Sequence, residues 1–278
     1  MDNKNVIDFH HHLLGEENYV DTLIRKMDET GISITCLSGL GIGKGHYEYS
    51  LDKFNLGSLS PDNDDVLVAI NKHPKRLIGF GVINLGKDNP EKVRHLYDLG
   101  FKGLKVTRPL KNYNDDEYLS IYNEANKLGM PVLFHTGMVL FTPYDAEDDV
   151  CTDRMRPMLV DRIARRFPKL KIIIAHLGVP WFEEATILAR FHENIFVDLT
   201  GASLGWRNRL SPNDYQKLFF WENAFKKIVF GTDVHADQIN DVYHDQVRLF
   251  DLLNLNEETQ SAIFSGNAVQ FLNLHKIK

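Results

Sequence analysis

Apolar positions along the chain fall into short β-branched runs bounded by turn residues, each followed by a longer stretch with helical spacing. The runs predict strands over 6–10, 34–40, 77–85, 101–107, 130–135, 170–176, 195–200 and 227–233. Amphipathic helices are predicted between and after them, over 19–30, 64–72, 90–99, 115–128, 156–167, 181–192, 213–225 and 239–253. Gly31, Gly100 and Gly129 stand just past three of these helices, where glycine can take the left-handed conformation that ends a helix. Runs such as Ile172-Ile173-Ile174-Ala175 are apolar on both faces, which implies a parallel sheet covered on both sides. Strand–helix units repeated along the whole length predict an α/β fold that closes as a (β/α)8 barrel, the TIM-barrel architecture. Residues 1–278 are then one domain, with a further helix after Asn256, ending near Phe271, as a C-terminal helical cap. An open doubly wound sheet is the alternative, and it would want a glycine-rich phosphate turn after an early strand. The segment Gly39-Leu40-Gly41-Ile42-Gly43-Lys44-Gly45 has neither spacing known for such turns and reads as the flexible start of the second strand-to-helix loop.

Charge narrows the function classes. With 32 basic against 38 acidic residues in 278, the net charge is −6 and no long run of one sign occurs. That balance disfavours duplex nucleic acid as a partner. No stretch of about 18 apolar residues is present, and the opening MDNKNVIDFHHHLL lacks the basic and apolar regions of a secretion signal, so the expectation is a cytoplasmic chain without membrane contact. Cys36 and Cys151 lie far apart and outside any CxxC, and read as structural thiols.

In such a barrel, chemistry gathers at the carboxyl ends of the strands. The polar residues predicted there are His10, His12, Lys105, His135, His176 and Asp233. By strict alternation Asp8, His10 and His12 share one face of the first strand, with Ile7 and Phe9 facing the helices and His11 pointing the other way. Two imidazoles on one strand edge can grip a cation from one side. A carboxylate such as Asp233 at the end of a buried strand costs several kcal/mol unless a cation or donor compensates it.

The segments Ile7-Asp8-Phe9-His10-His11-His12, Gly103-Leu104-Lys105-Val106, Pro131-Val132-Leu133-Phe134-His135-Thr136-Gly137, Ala175-His176-Leu177-Gly178, Gly231-Thr232-Asp233 and Gly266-Asn267-Ala268 together resemble the amidohydrolase superfamily. The resemblance spans nearly the whole chain and is greatest to the amidohydrolase-related branch, which includes aminocarboxymuconate semialdehyde decarboxylase. It implies that His10, His12, His135 and Asp233 bind one divalent metal, most often zinc with manganese as the other choice, that His176 acts on the substrate or on metal-bound water, and that the chain pairs as a homodimer. Independently of the name, a divalent cation with an open position brings the pKa of bound water to about 7. Asp233 could then take the proton and His176 could polarise a carbonyl. The expected reaction is hydrolysis of an amide, ester or lactone of a small molecule, with a carboxylate-bearing one within its range. The alternative is metal-dependent, non-oxidative decarboxylation of an unsaturated or aromatic acid. A TatD-like nuclease comes third, since a glutamate is expected near the end of the fourth strand and Lys105 stands on that strand instead.

Lys105 has inward parity and reads as a charge-balancing group or a grip on an acidic substrate, rather than the carboxylated bridge of two-metal relatives. Arg108, and Arg154 or Arg156 in the fifth loop, are candidates to clamp a substrate carboxylate. The loops 41–61, 138–154 and 202–213 hold Tyr47, Tyr49, Phe141, Tyr144, Trp206 and Arg207, which could set specificity or simply pin the loops. His46, His73, His95, His192, His244 and His275 are expected to be solvated, and His235 to stand just behind Asp233.

Overall fold

The computed structural model describes residues 5–42, 61–139, 141–142 and 145–274. Tyr47, Tyr49, Tyr144, His46, His275 and the end of the glycine-rich segment fall outside the described residues. Strands β1 (Val6–His12), β2 (Ile32–Ser38), β3 (Leu77–Ile83), β4 (Gly103–Val106), β5 (Val132–Phe134), β6 (Ile172–Ile174), β7 (Ile195–Asp198) and β8 (Ile228–Val229) form one eight-stranded sheet in sequence order. Every neighbouring pair is parallel. The two edges meet through backbone bonds, Phe9 N–H to Phe230 O at 2.9 Å and Asp233 N–H to the His10 carbonyl at 2.8 Å, so the sheet curls into a TIM barrel.

Helices α1 (Tyr19–Thr30), α2 (Asn63–Lys72), α3 (Pro90–Asp98), α4 (Leu119–Leu128), α5 (Asp161–Arg166), α6 (Phe182–Phe191), α7 (Pro212–Leu218) and α8 (Ile239–Leu252) return the chain between strands. Local chemistry sets their ends. Asp62 with Asp65, and Ser211 with Asp214, form reciprocal caps at the starts of α2 and α7. Gly31 and Gly129 take φ of 81° and 68° past α1 and α4, as their positions predict. Most strands are shorter than the apolar runs that announce them. Past Val229 the Phe230 N–H turns to Ile263 O of the C-terminal segment, while the Phe230 carbonyl accepts from Phe9 N–H.

Two apolar layers follow from strand alternation. Leu104, Val132, Phe134, Ile172 and Val197 face outward and pack with Leu23, Leu96, Tyr122, Ile163 and Ala189 of the helices. Ile7, Phe9, Cys36, Phe80, Leu133, Ile173, Phe196 and Val229 fill the interior. The cap consists of α9 (Glu257–Ser261), a turn of π-helix over Ala262–Gly266, and α10 (Asn267–Phe271). From α10, Phe271 enters the interior cluster edge-on to Phe9 at 5.9 Å and to Phe196 at 4.5 Å. Asn267 bonds the Ile228 carbonyl at 2.8 Å, placing this cap at the amino end of the barrel, opposite the mouth.

Ile7 and Phe9 point into the barrel, not at the helices. The β1–β2 register slips between Asp8 and His11, so β1 carries a bulge. That extra residue changes the phase of the side chains. It turns His10 and His12 to the mouth while Asp8 bonds Thr232 instead of sharing their face.

Candidate active site

The carboxyl ends of β1, β4, β5, β6, β7 and β8 bring the predicted polar residues to one place. Among the described residues, His10, His176 and Asp233 form a group whose ligand atoms all lie within 4.8 Å of one another. His12 Nε2 is 3.4 Å from Asp233 Oδ1 and His176 Nε2 is 3.4 Å from Asp233 Oδ2. His135 stands beside them, its ring 5.0 Å from that of His176, but its Nε2 is directed to the Met138 carbonyl at 3.3 Å. Lys105, 1% exposed, places Nζ 2.7 Å from His10 Nε2.

The other nitrogen of each converging imidazole is tied down, which settles where its lone pair points. His10 Nδ1 lies 2.8 Å from Asp198 Oδ2, so it carries the proton and leaves Nε2 as a lone pair facing inward. His12 Nδ1 donates to the Gly39 carbonyl at 2.8 Å. Thr200 Oγ1 donates to Asp198 Oδ1 at 2.6 Å and therefore accepts from His176 Nδ1 at 2.8 Å. The Nε2 lone pairs of His12 and His176 thus lie 3.4 Å from the Asp233 carboxylate, while that of His10 accepts from the Lys105 ammonium at 2.7 Å. Asp198 and Thr200 were not singled out from the sequence. Asp198 closes an apolar strand just as Asp233 does, and that signal was available.

Electrostatics follow the packing. Burial alone would raise the Asp233 carboxyl, yet the imidazoles of His10, His12 and His176 and the Lys105 ammonium hold it well below the usual carboxylate range. Asp198 behaves likewise beside His10, His176 and Thr200. Burial pushes His12 down to about 3, and depresses His135 and His176. Lys105 is brought down to about 8 by burial, against the pull of Asp233 and Asp198. Behind the site Asp8 accepts from Thr232 Oγ1 and N–H and from His10 N–H, and burial raises it to about 7. His11, directed away from the mouth, bonds Thr232 and Tyr19.

Above the polar floor opens a cavity of about 380 Å³, walled by Leu40, Val139, Phe141 and Trp206 and reached by Lys105 and Arg108. Arg108 pairs with Asp145 at 2.5 Å. Arg156 is not among the lining residues: its guanidinium is bound by Glu184 and lies 5.0 Å from the Trp181 ring centroid. Arg154 pairs with Asp149. His235 lines the cavity and bonds Glu16. His192, expected in solvent, is buried against Asp161, and Arg207 is buried rather than presented at the rim. No helix of the described residues is long and apolar enough to cross a membrane.

The solved structures similar to this chain include both decarboxylases and a probable hydrolase. The family model described as Amidohydrolase matches residues 7–274. A 2-amino-3-carboxymuconate-6-semialdehyde decarboxylase of Dictyostelium discoideum is 23% identical, over 91% of this chain and 76% of that protein. Among solved structures, 2,6-dihydroxybenzoate decarboxylase from Rhizobium superposes with a TM-score of 0.66 at 18% identity, covering 98% of this chain and 99% of that one. A dihydroxybenzoic acid decarboxylase from Polaromonas, with bound manganese and the inhibitor 2-nitroresorcinol, gives 0.65 at 19% identity, covering 98% and 97%.

Proposed function

The chain belongs to the amidohydrolase family, and on that premise we propose that it is a metal-dependent, non-oxidative decarboxylase of a small aromatic or unsaturated acid. The observation that carries the reading is the convergence of His10, His176 and Asp233, with His12 alongside, on the floor of a largely apolar cavity. Hydrolysis of an amide, ester or lactone, the first expectation from residue types, would use the same groups. The activities named for the curated relative and for the two decarboxylase structures put decarboxylation ahead of it.

A divalent ion fits the donor set. Imidazole lone pairs and a half-buried carboxylate held in its charged form are the ligands such ions take. His10, His12 and Asp233 would hold it with His135, and His176 would face the substrate beside them. Zinc suits these ligands, and manganese is the ion in the Polaromonas structure. When bound, the ion supplies a Lewis acid that anchors a substrate oxygen and draws charge from the bond that breaks.

The protein's own residues supply the rest. Lys105 offers an ammonium on the cavity floor for the substrate carboxylate, with Arg108 further out. Trp206, Phe141 and Val139 provide apolar walls for a single ring, and 380 Å³ falls in the size class of small-molecule sites. His176 Nε2, 3.4 Å from Asp233, carries the proton delivered to the substrate carbon, and the charged Asp233 carboxylate beside it stabilises the imidazolium. As the carbon–carbon bond to the carboxylate breaks, its electron pair stays on that carbon and takes the proton, and carbon dioxide leaves. A substrate carboxylate bound beside His176 raises the proton affinity of its imidazole, favouring the protonated form that this step needs.

The test is a screen of protein loaded with manganese or zinc. Hydroxybenzoates and aminocarboxymuconate-type acids are assayed for carbon dioxide release, and lactones and amides for acid release. Carbon dioxide from one of the acids is expected; acid release from lactones or amides alone would overturn the proposal in favour of hydrolysis.

A further inference from the structure

Thr200 is the hub of the hydrogen bonds behind the site, and its place is set by the loop that follows it. Its hydroxyl lies between Asp198 Oδ1 at 2.6 Å and His176 Nδ1 at 2.8 Å, and its N–H returns to Asp198 Oδ1 at 3.1 Å. Three successive carbonyls around it are each taken by a side chain from the next turn. The Trp206 indole N–H donates to Thr200 O at 2.9 Å. Arg207 Nη1 donates to Leu199 O at 2.8 Å and to Gly201 O at 2.5 Å. Arg207 is itself buried and anchored through Nη2 to Asp245 at 3.2 Å. On the far side, Gly201 N–H donates to the Thr232 carbonyl at 2.9 Å, one residue before Asp233. Gly201 has φ of 118°, open to glycine and strained for other residues, and a Cβ there would meet Trp206 Nε1 at 3.4 Å.

A short exposed loop would be free to let this hydroxyl turn. The double grip removes that freedom, since moving Thr200 means leaving buried carbonyls and a buried guanidinium unpaired, at a cost of about 1–3 kcal/mol for each group. We infer that Trp206 and Arg207 are positioning residues for His176: by holding the Leu199–Gly201 backbone they fix the Thr200 hydroxyl, which keeps the proton of neutral His176 on Nδ1 and its Nε2 lone pair towards Asp233 and the substrate. Trp206 also walls the cavity and packs on Phe182 with ring centroids 5.5 Å apart, so one side chain borders the substrate and bolts the relay. The inference deepens the reading given above, because a proton relay through His176 requires that Nε2 be the free nitrogen.

The test reads the histidine ring directly. Full-length protein labelled with ¹⁵N at its histidines, free of metal and substrate, is compared by long-range ¹H–¹⁵N correlation with Thr200→Val, Thr200→Ser, Arg207→Met and Trp206→Phe. The parent protein should show His176 as a single tautomer protonated at Nδ1. Thr200→Val and Arg207→Met should convert it to a mixture or to the Nε2 form, Trp206→Phe should do so in part, and Thr200→Ser should restore the parent pattern. His12, held by the Gly39 carbonyl, should stay unchanged and so separates a local effect from a general loosening. If Arg207→Met fails to fold, Trp206→Phe and Thr200→Val decide. A parent-like His176 in both Thr200→Val and Trp206→Phe overturns the inference. Since neither metal nor substrate is present, the outcome is independent of which reaction the loaded protein catalyses.

Discussion

The carboxylate of Asp198, at the end of β7, lies 2.8 Å from Nδ1 of His10, on β1 and 188 residues away in sequence. This contact spans the seam where the barrel closes, and it aims the His10 lone pair at the site. Carboxylates that orient ligand imidazoles in this way are commonly worth a factor of about 10–100 in metal affinity. Asp198→Asn should therefore weaken manganese or zinc binding by about that factor, measured by calorimetric titration of the metal-free protein. An unchanged affinity would show that His10 keeps its orientation without the charge.

His135 and His176 are neighbours with different partners, one turned to a backbone carbonyl and the other wired through Thr200 to Asp198. His135→Ala should lose bound metal, as should His12→Ala. His176→Ala should keep it and lose turnover. Metal content by atomic emission alongside activity makes the separation, and loss of metal from His176→Ala alone would exchange the two roles.

Lys105 carries a pH signature with a definite sign. Burial makes its charged form costly, so its pKa in the folded protein is about 8 against an ordinary 10.5. Between those values the unfolded chain holds a proton that the folded chain has released, so stability attributable to this residue rises with pH across that window. The cost below about 8 is on the order of 3 kcal/mol. Melting temperatures of metal-free parent and Lys105→Gln should then differ most near pH 7, with the variant more stable, and converge towards pH 10. A difference independent of pH would mean that the ammonium is fully compensated by Asp233 and Asp198.

Phe271 is 2% exposed and joins the cap to the barrel interior through Phe9 and Phe196. Phe271→Ala should lower the unfolding free energy by about 3–5 kcal/mol, the usual cost of deleting a buried aromatic ring. Urea unfolding followed by circular dichroism measures it, and a loss below about 1 kcal/mol would make the cap peripheral to the core.

The barrel was legible because its strands are fully buried runs and its helix ends carry glycines and side-chain caps, all signals written in adjacent residues. The phase of β1 was not legible. Counting by twos places Asp8 with His10 and His12, whereas a single inserted residue, visible only as a register slip against β2, reverses the assignment for Ile7 and Phe9. Arg156 illustrates another limit. An arginine in the right loop is a reasonable clamp on paper, yet Glu184 of α6 claims it, and nothing near Arg156 in the chain announces that partner.

By itself, then, the sequence determined the architecture, the end of the barrel where chemistry gathers, and most of the side-chain types assembled there, because periodicity and strand ends are local properties. Only the tertiary structure decided which nitrogen of each imidazole faces the centre, and that Asp198, Thr200 and Arg207 stand behind them. Those facts depend on hydrogen bonds between segments that meet only when β7, β8 and β1 close the ring.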